Sequence, residues 1–262
     1  MSTIKRMTNK YEQIKTLIDE ASVITILSGA GVSVPSGIPD FRSRDGLYSN
    51  EKDVMDILSR QHFQDNPEQF WADYRRIFHD KLIGPDFQPN SSHEFIGFLK
   101  SLGKDVQVIT QNVDDLYQKV DGVDAMDIVQ MHGNAQKCIC TVCREPYRTT
   151  DVIHQAVPRC SRFLPDGYTC NGLLDVDVVL FGDMVRNFQY AMERVSKSDL
   201  LFVMGTSLSV SPFNTLLTNN RKRKNVLLNM TDIANRPFEV KLLMDVAAST
   251  TNIMNLYGHM DS

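Results

Sequence analysis

Two glycines, Gly29 and Gly31, follow the short β-branched run Val23 to Leu27, and the loop continues Val32-Ser33-Val34-Pro35-Ser36-Gly37. Glycines in that place let backbone amides close on a pyrophosphate, and a following helix start would add its positive end, so a dinucleotide is the natural ligand. Ala30 and Ser33 fall inside the same cradle. The spacing is not that of a dehydrogenase, because five residues separate Gly31 from Gly37 and no acid follows a clear second strand to hold a ribose. A plain tight turn uses such a glycine pair equally well. Next, Ile38-Pro39-Asp40-Phe41-Arg42 sets an acid, an aromatic wall and a cation on a proline-stiffened loop beside the cradle. Thr110-Gln111-Asn112-Val113-Asp114 sits at a strand end, where ligands meet open α/β sheets, although Asn112 is also well placed to cap a helix. Met131-His132-Gly133 follows another strand, and a histidine facing a ligand from there is a natural general base. His62, His79, His93, His154 and His259 have no such context and read as structural or surface residues. Gly205-Thr206-Ser207, at the end of Leu200 to Met204, can donate to phosphate or ribose oxygens.

All five cysteines, Cys138, Cys140, Cys143, Cys160 and Cys170, crowd into one stretch. An odd, clustered set points to a metal rather than to disulfides. Cys140 and Cys143 have the spacing of half a zinc knuckle, and Cys160 with Cys170 would complete four thiolates in a closed, structural site. Cys138 is left over.

The elements that must position these groups alternate. Tyr11 to Ala21 places Ile14, Leu17 and Ile18 on one helical face before the strand Val23 to Leu27. Ser91 to Leu102 repeats the pattern with Phe95, Phe98, Leu99 and Leu102; Gly103 closes the helix and Val106 to Thr110 supplies a strand. Further strands are expected at Asp127 to Met131, Asp177 to Phe181, Leu200 to Met204 and Val226 to Asn229, with helices near Asn187 to Lys197, Pro212 to Asn220 and Thr250 to Tyr257. Alternating apolar strands and amphipathic helices predict an α/β fold, a doubly wound parallel sheet of Rossmann-like kind. Residues 1–45, 87–133 and 177–262 would form it, with a helical module at 46–86 and a zinc-binding module at 134–176 making a smaller unit.

The chain has 262 residues, 28 Lys and Arg against 32 Asp and Glu, and a net charge of -4, so charge dictates no polyanionic or polycationic partner. The run Arg221 to Lys224 reads as a solvated helix end, not a nucleic-acid footprint. No apolar run has the length of a secretory signal core or a membrane helix, so a cytoplasmic location with no membrane partner is expected.

From Gly29 to Arg42 the sequence resembles the signature of the sirtuins, NAD-dependent protein lysine deacylases, in which a GAG loop runs into SGIPDFR. Other blocks follow in the family's order. Residues 110–114 resemble TQNID with Val113 for Ile, and Asp115 stands where Gly is common. His132 and Gly133 match the HG block, residues 205–212 match GTSLxVxP, and Asn229 matches the Asn of the LIN element. The resemblance implies NAD as co-substrate, held by Gly29, Ala30, Gly31, Ser33, Asp40, Phe41, Arg42, Gln111, Asn112, Asp114, Gly205, Thr206, Ser207, Asn229 and, near the adenine, Ala247. It implies His132 as catalytic base, with Asn112 also catalytic. Residues 178–183 resemble VVFFGE, which implies that an acyl-lysine protein or peptide adds as a strand against Val179, Leu180, Phe181, Gly182 and the loop at Val210, with Val113 walling the lysine stem. The family also carries a structural Zn2+ site spaced after HG much as here, with a shorter spacing than that between Cys160 and Cys170.

The implied reaction moves an acyl group from lysine to ADP-ribose and releases nicotinamide, without hydride transfer. Family members that remove acidic acyl groups carry a Tyr and an Arg three residues apart; aligning the Arg with Arg75 puts Ala72 at the Tyr position, so acetyl is the expected group. The alternatives are a protein ADP-ribosyltransferase, a deacylase of another acyl group on the same scaffold and, as a non-enzyme, a zinc-dependent nucleic-acid-binding module.

Overall fold

The computed structural model of the chain describes residues 3–41, 46–48, 53–220, 222 and 224–258. Arg42, Arg221, Arg223 and His259 lie outside the described residues. Among those described, the strands are β1 (Val23–Ser28), β2 (Asp105–Thr110), β3 (Ile128–Gln130), β4 (Gly133–Cys140), β5 (Pro146–Arg148), β6 (Leu174–Val178), β7 (Leu200–Met204), β8 (Asn225–Asn229) and β9 (Val240–Leu243). The α-helices are α1 (Thr3–Glu20), α2 (Val54–Ile57), α3 (Arg60–Asp65), α4 (Pro67–Phe78), α5 (Ser91–Ser101), α6 (Thr149–Val152), α7 (Phe188–Lys197) and α8 (Val246–Gly258).

Six strands form one parallel sheet in the order β3-β2-β1-β7-β8-β9. Its strands are apolar on both sides because both faces are covered. Ile24, Ile26, Phe202, Met204 and Val226 pack with Ile14 and Ile18 of α1, Phe95 and Leu99 of α5 and Ile253 of α8. On the opposite face Leu27, Ile109, Leu201, Val203 and Leu227 meet Ala191 and Val195 of α7 and Phe213, Leu216 and Leu217. The sheet is doubly wound, and its strand order reverses between β1 and β7. In an open α/β sheet a ligand crevice lies at such a reversal, outside the carboxyl ends of the strands.

A second, antiparallel sheet runs β5-β4-β6. With α2 to α4 and a π-helical turn at His79–Ile83 it encloses a third core around Phe70, Trp71, Tyr74, Leu82, Ala135, Leu174 and Val176. This corrects the expected strand at Asp177 to Phe181. That strand is β6, it begins at Leu174, and it belongs to the small sheet, with Cys138 opposite Val176 and Cys140 opposite Leu174. Its Leu-Asp-Val-Asp-Val alternation is the mark of a half-buried antiparallel strand, not of one covered on both faces.

Two other expectations change. The helix expected at Pro212 to Asn220 is a 3-10 helix, Phe213–Asn219, in which Thr215 and Thr218 hydroxyls donate to carbonyls three residues back. The parallel sheet also has an edge strand, β9, too short and too polar at Lys241 to announce itself.

Candidate active site

Gly29 donates its N–H to Met204 O at 3.1 Å and Gly31 donates to Gly205 O at 2.8 Å, so the loops leaving β1 and β7 touch backbone to backbone. A Cβ on Gly31 would lie 2.8 Å from Gly205 Cα, and one on Gly29 would lie 2.7 Å from Thr206 Cβ. Gly205 itself has φ 57, in the left-handed region. The glycine loop does not open an α-helix. It makes two short 3-10 turns, Ala30–Val32 and Val34–Ser36, ended by Gly37 at φ 93, so it brings no α-helix dipole to a ligand.

Beyond the turns the chain folds over a pocket of about 230 Å³, its open mouth included. Ala30, Ser33, Ile38, Pro39 and Phe41 line one side, Asn112, Val113 and Asp114 from the end of β2 the other, and Leu47 and Leu82 close it. The strip at its mouth is held by Leu47 N–H donating to Asp40 O and Tyr48 N–H donating to Phe41 O, with the Phe41 and Tyr48 rings 5.4 Å apart.

The pocket floor is a buried polar network. Ser33 Oγ donates to Asp114 Oδ2 at 2.8 Å and accepts from Asn112 Nδ2 at 3.0 Å. His93 Nε2 lies 3.3 Å from the same oxygen. Burial pushes the Asp114 carboxyl up from its usual range, and the hydrogen bonds from Ser33 and the Leu116 N–H pull it back. Asn112 does not cap a helix, as expected of it; its side chain turns inward, and its Oδ1 is buried without a partner. An orphaned buried acceptor beside the glycine turn suits a ligand that brings a hydrogen-bond donor, as NAD does.

His132 stands where β3 ends. Its Nδ1 is 3.1 Å from Gln111 O, a contact that needs the proton on Nδ1 and leaves Nε2 with its lone pair. Burial lowers the imidazole below its ordinary value, partly offset by that hydrogen bond, so the ring is neutral at pH 7. Gln111 Oε1 accepts from Thr206 Oγ1 at 3.0 Å, tying the loop after β2 to the loop after β7. Ser207 is exposed. Asn229 ends β8 with its Nδ2 on Thr231 O at 2.9 Å, and Ala247, in the first turn of α8, receives the Ser91 hydroxyl on its carbonyl. All of these lie at the carboxyl edge of the parallel sheet.

The expected peptide-facing segment leaves β6 at the same edge. Val179 N–H donates to His132 O at 2.9 Å; Phe181 N–H donates to Leu58 O and Phe181 O accepts from Arg60 N–H. The Arg60 guanidinium grips Asp183 with two hydrogen bonds, at 3.0 and 2.8 Å, and Asp175 with a third at 2.8 Å. Burial works against it, yet Arg60 holds Asp183 below the usual carboxyl range, while the deeper Asp175 is raised by burial. Leu180 is buried, Phe181 and Gly182 are exposed, and Val210 is half-buried in the loop after β7.

The sulfurs of Cys140, Cys143, Cys160 and Cys170 all lie within 4.8 Å of one another and none is in a disulfide. Four thiols at that spacing fit the tetrahedral Zn2+ set. The stretch between Cys160 and Cys170 is a hairpin, pairing Phe163 with Thr169, whose base returns Cys170 to the cluster. Cys138 stands apart, bonded to Thr149, its thiol pushed up to about 12 by burial.

Three residues of this region escape the sequence motifs. Arg60 opens α3 without a recognisable pattern. Asn90 and His93 had a signal, Asn-x-x-His at a helix start: the pair forms a capping box in which His takes the place usual for Glu or Gln.

A Sir2 family model matches residues 29–212. The NAD-dependent protein deacetylase of Bacillus anthracis is 39% identical over 203 residues, covering 78% of this chain and 79% of that protein. NAD-dependent protein deacetylase 2 of Geobacillus kaustophilus is 36% identical over 227 residues, covering 85% and 87%. Among solved structures, a Sir2 with deacetylated peptide and 3′-O-acetyl ADP-ribose superposes with TM-score 0.80 at 28% identity, covering 94% of this chain and 98% of that one. A Sir2 with peptide and NAD+ gives TM-score 0.78 at 28% identity, covering 95% and 98%. With its glycine cradle, inward-turned Asn112 and strand-end His132 falling inside the matched span, the chain belongs to the Sir2 family.

Proposed function

We propose that this protein is an NAD-dependent protein lysine deacetylase, moving the acetyl group of an acetyl-lysine side chain to ADP-ribose with release of nicotinamide. His132 carries the assignment: a neutral imidazole anchored through Nδ1 and offering Nε2 at the carboxyl edge of a dinucleotide-type sheet is a general base beside a nucleotide. The names of the relatives and the NAD+ and acyl-peptide complexes of related structures support both substrates. Bound there, NAD supplies an electrophilic ribose carbon and nicotinamide as leaving group.

The Gly29–Gly31 turn would meet the pyrophosphate through the Ala30 amide, because the Gly29 and Gly31 N–H groups are spent on Met204 O and Gly205 O. Thr206, Ser207, Asn229 and Ala247 would hold the adenosine side. Asn112 Oδ1 would accept from a ribose hydroxyl or the carboxamide, Asp114 would hold the carboxamide, and Phe41 would shield the pocket from water. His132 Nε2 would take a ribose hydroxyl proton. The acyl-lysine peptide would lie along Val179 to Gly182 with its stem against Val113. Arg75 is committed to the carbonyls of Ile153 and Gln155 and Ala72 is exposed, which supports acetyl over an acidic acyl group. Cys140, Cys143, Cys160 and Cys170 would hold Zn2+ as a purely structural ion. The cysteines, none of them in a disulfide, support a cytoplasmic setting; no described helix is long and apolar enough to cross a membrane.

Incubation with NAD and an acetyl-lysine peptide tests the proposal. Nicotinamide release should match loss of the acetyl group from the peptide, and His132→Ala should lower the rate by about 10²-fold or more. A peptide that keeps its acetyl group, or full activity in His132→Ala, overturns it.

A further inference from the structure

We infer that His93, which lines no part of the pocket, is a positioning residue. It fixes which atom of Asn112 faces the ligand and keeps Asp114 an acceptor. This rests on the nicotinamide pocket proposed above.

The inference starts from a donor that cannot reverse. The Asn90 backbone N–H points at His93 Nδ1 from 3.2 Å, so Nδ1 carries a lone pair. The ring is fully buried, and burial lowers it to about 3, so it is neutral and its single proton sits on Nε2. Nε2 therefore donates to Ser33 Oγ. Asn112 Nδ2 donates to the same oxygen. Both lone pairs of the hydroxyl are then filled, and its one proton goes to Asp114 Oδ2.

Two consequences follow from this fixed direction. Flipping the Asn112 amide would set its Oδ1 against an oxygen with no proton left to give, so Nδ2 stays inward and the unpartnered Oδ1 is held out for a ligand N–H or O–H. A proton on Asp114 would find no acceptor within the network, because Oδ1 faces the Leu116 N–H and Oδ2 faces a hydroxyl with no free lone pair; the directions left over face away from both. The network thus opposes what burial alone would do to Asp114. His93 is itself held as the third residue of α5, whose cap Asn90 also donates to Val32 O and Ser36 Oγ, and by the edge-on Tyr117 ring at 4.8 Å.

Two substitutions separate the donor from the packing. In His93→Gln the amide nitrogen can occupy the place of Nε2 and still donate to Ser33. In His93→Asn the amide reaches only as far as Nδ1, which can keep the capping box and loses the donor. With NAD and acetyl peptide, kcat/KM for NAD should fall about 10-fold or more in His93→Asn and stay within about 3-fold of the parent in His93→Gln. In a Ser33→Ala background the two variants should be equal. Equal impairment of both in the parent background, or an undiminished Asn penalty without Ser33, overturns the role. Nitrogen NMR of the free, unsubstituted protein should find His93 protonated on Nε2 alone; a proton on Nδ1 overturns it even if neither variant folds. Absence of nicotinamide release by the unsubstituted enzyme would instead overturn the proposed reaction and leave the NMR test standing.

Discussion

His93 is buried and His132 half-buried, both are neutral, yet they are opposite tautomers. A backbone N–H forces His93 to carry its proton on Nε2, whereas a backbone carbonyl draws that of His132 to Nδ1. One ring thereby becomes a fixed donor beneath the pocket floor and the other a fixed acceptor toward substrate. Both have folded-state values below the ordinary one near 6.5, so the unfolded chain binds more protons as pH falls. The stability they contribute is complete above about pH 6.5 and is lost on acidification, each at up to about 1.4 kcal/mol per pH unit. For His93 the loss continues down to about 3. Urea unfolding from neutral to acidic pH should show this slope, and His93→Gln should flatten it; an unchanged slope would mean that the ring is not buried neutral. The rate should plateau across neutral pH and fall only on the acid side, because His132 works unprotonated and its value lies below the ordinary one.

At the scale of elements, function depends on two loops in backbone contact. Gly31→Ala puts a methyl against the Gly205 backbone, which cannot yield as a flexible side chain would. We expect weaker NAD binding and a stability loss of about 1–3 kcal/mol, measurable by calorimetric titration and by melting. NAD affinity equal to that of the parent would show that the loops part freely. The parallel strands were readable in the sequence because burial on two faces writes an unbroken apolar run, as in Leu200 to Met204. β6 was not, because its alternating aspartates look like a loop beside a strand until β4 is known to pair with it. The glycines, Asn112, Asp114, His132 and the four cysteines were legible through type and spacing. His93 was passed over because its significance lies in a proton direction set by Asn90 and Ser33, from sequence-distant parts of the chain that only the fold assembles.

For the whole molecule, the thiol cluster and the pocket are mechanically joined although no sulfur lines the pocket. Cys140 ends β4, β4 pairs with β6, and the residue after β6 donates its N–H to the His132 carbonyl. Stripping zinc with a chelator should therefore lower the melting temperature and abolish deacetylation together. Cys160→Ser should lose stoichiometric zinc, whereas Cys138→Ala should retain it, as metal analysis of the purified variants would show. Activity that survives complete zinc removal would uncouple the two.

His132 occupies the seam itself. Met131 N–H still donates to Thr110 O in the parallel sheet, while Gly133 already pairs with Val178 in the antiparallel one, so close that a Cβ there would lie 2.0 Å from Asp177 O. One residue bridges two independently cored sheets, and its ring must turn with any rotation between them. The imidazole resonance is consequently a gauge of how the sheets are set. In chimeras that graft a relative's smaller sheet onto this larger one, turnover will follow the fidelity of that one splice more than the make-up of the pocket.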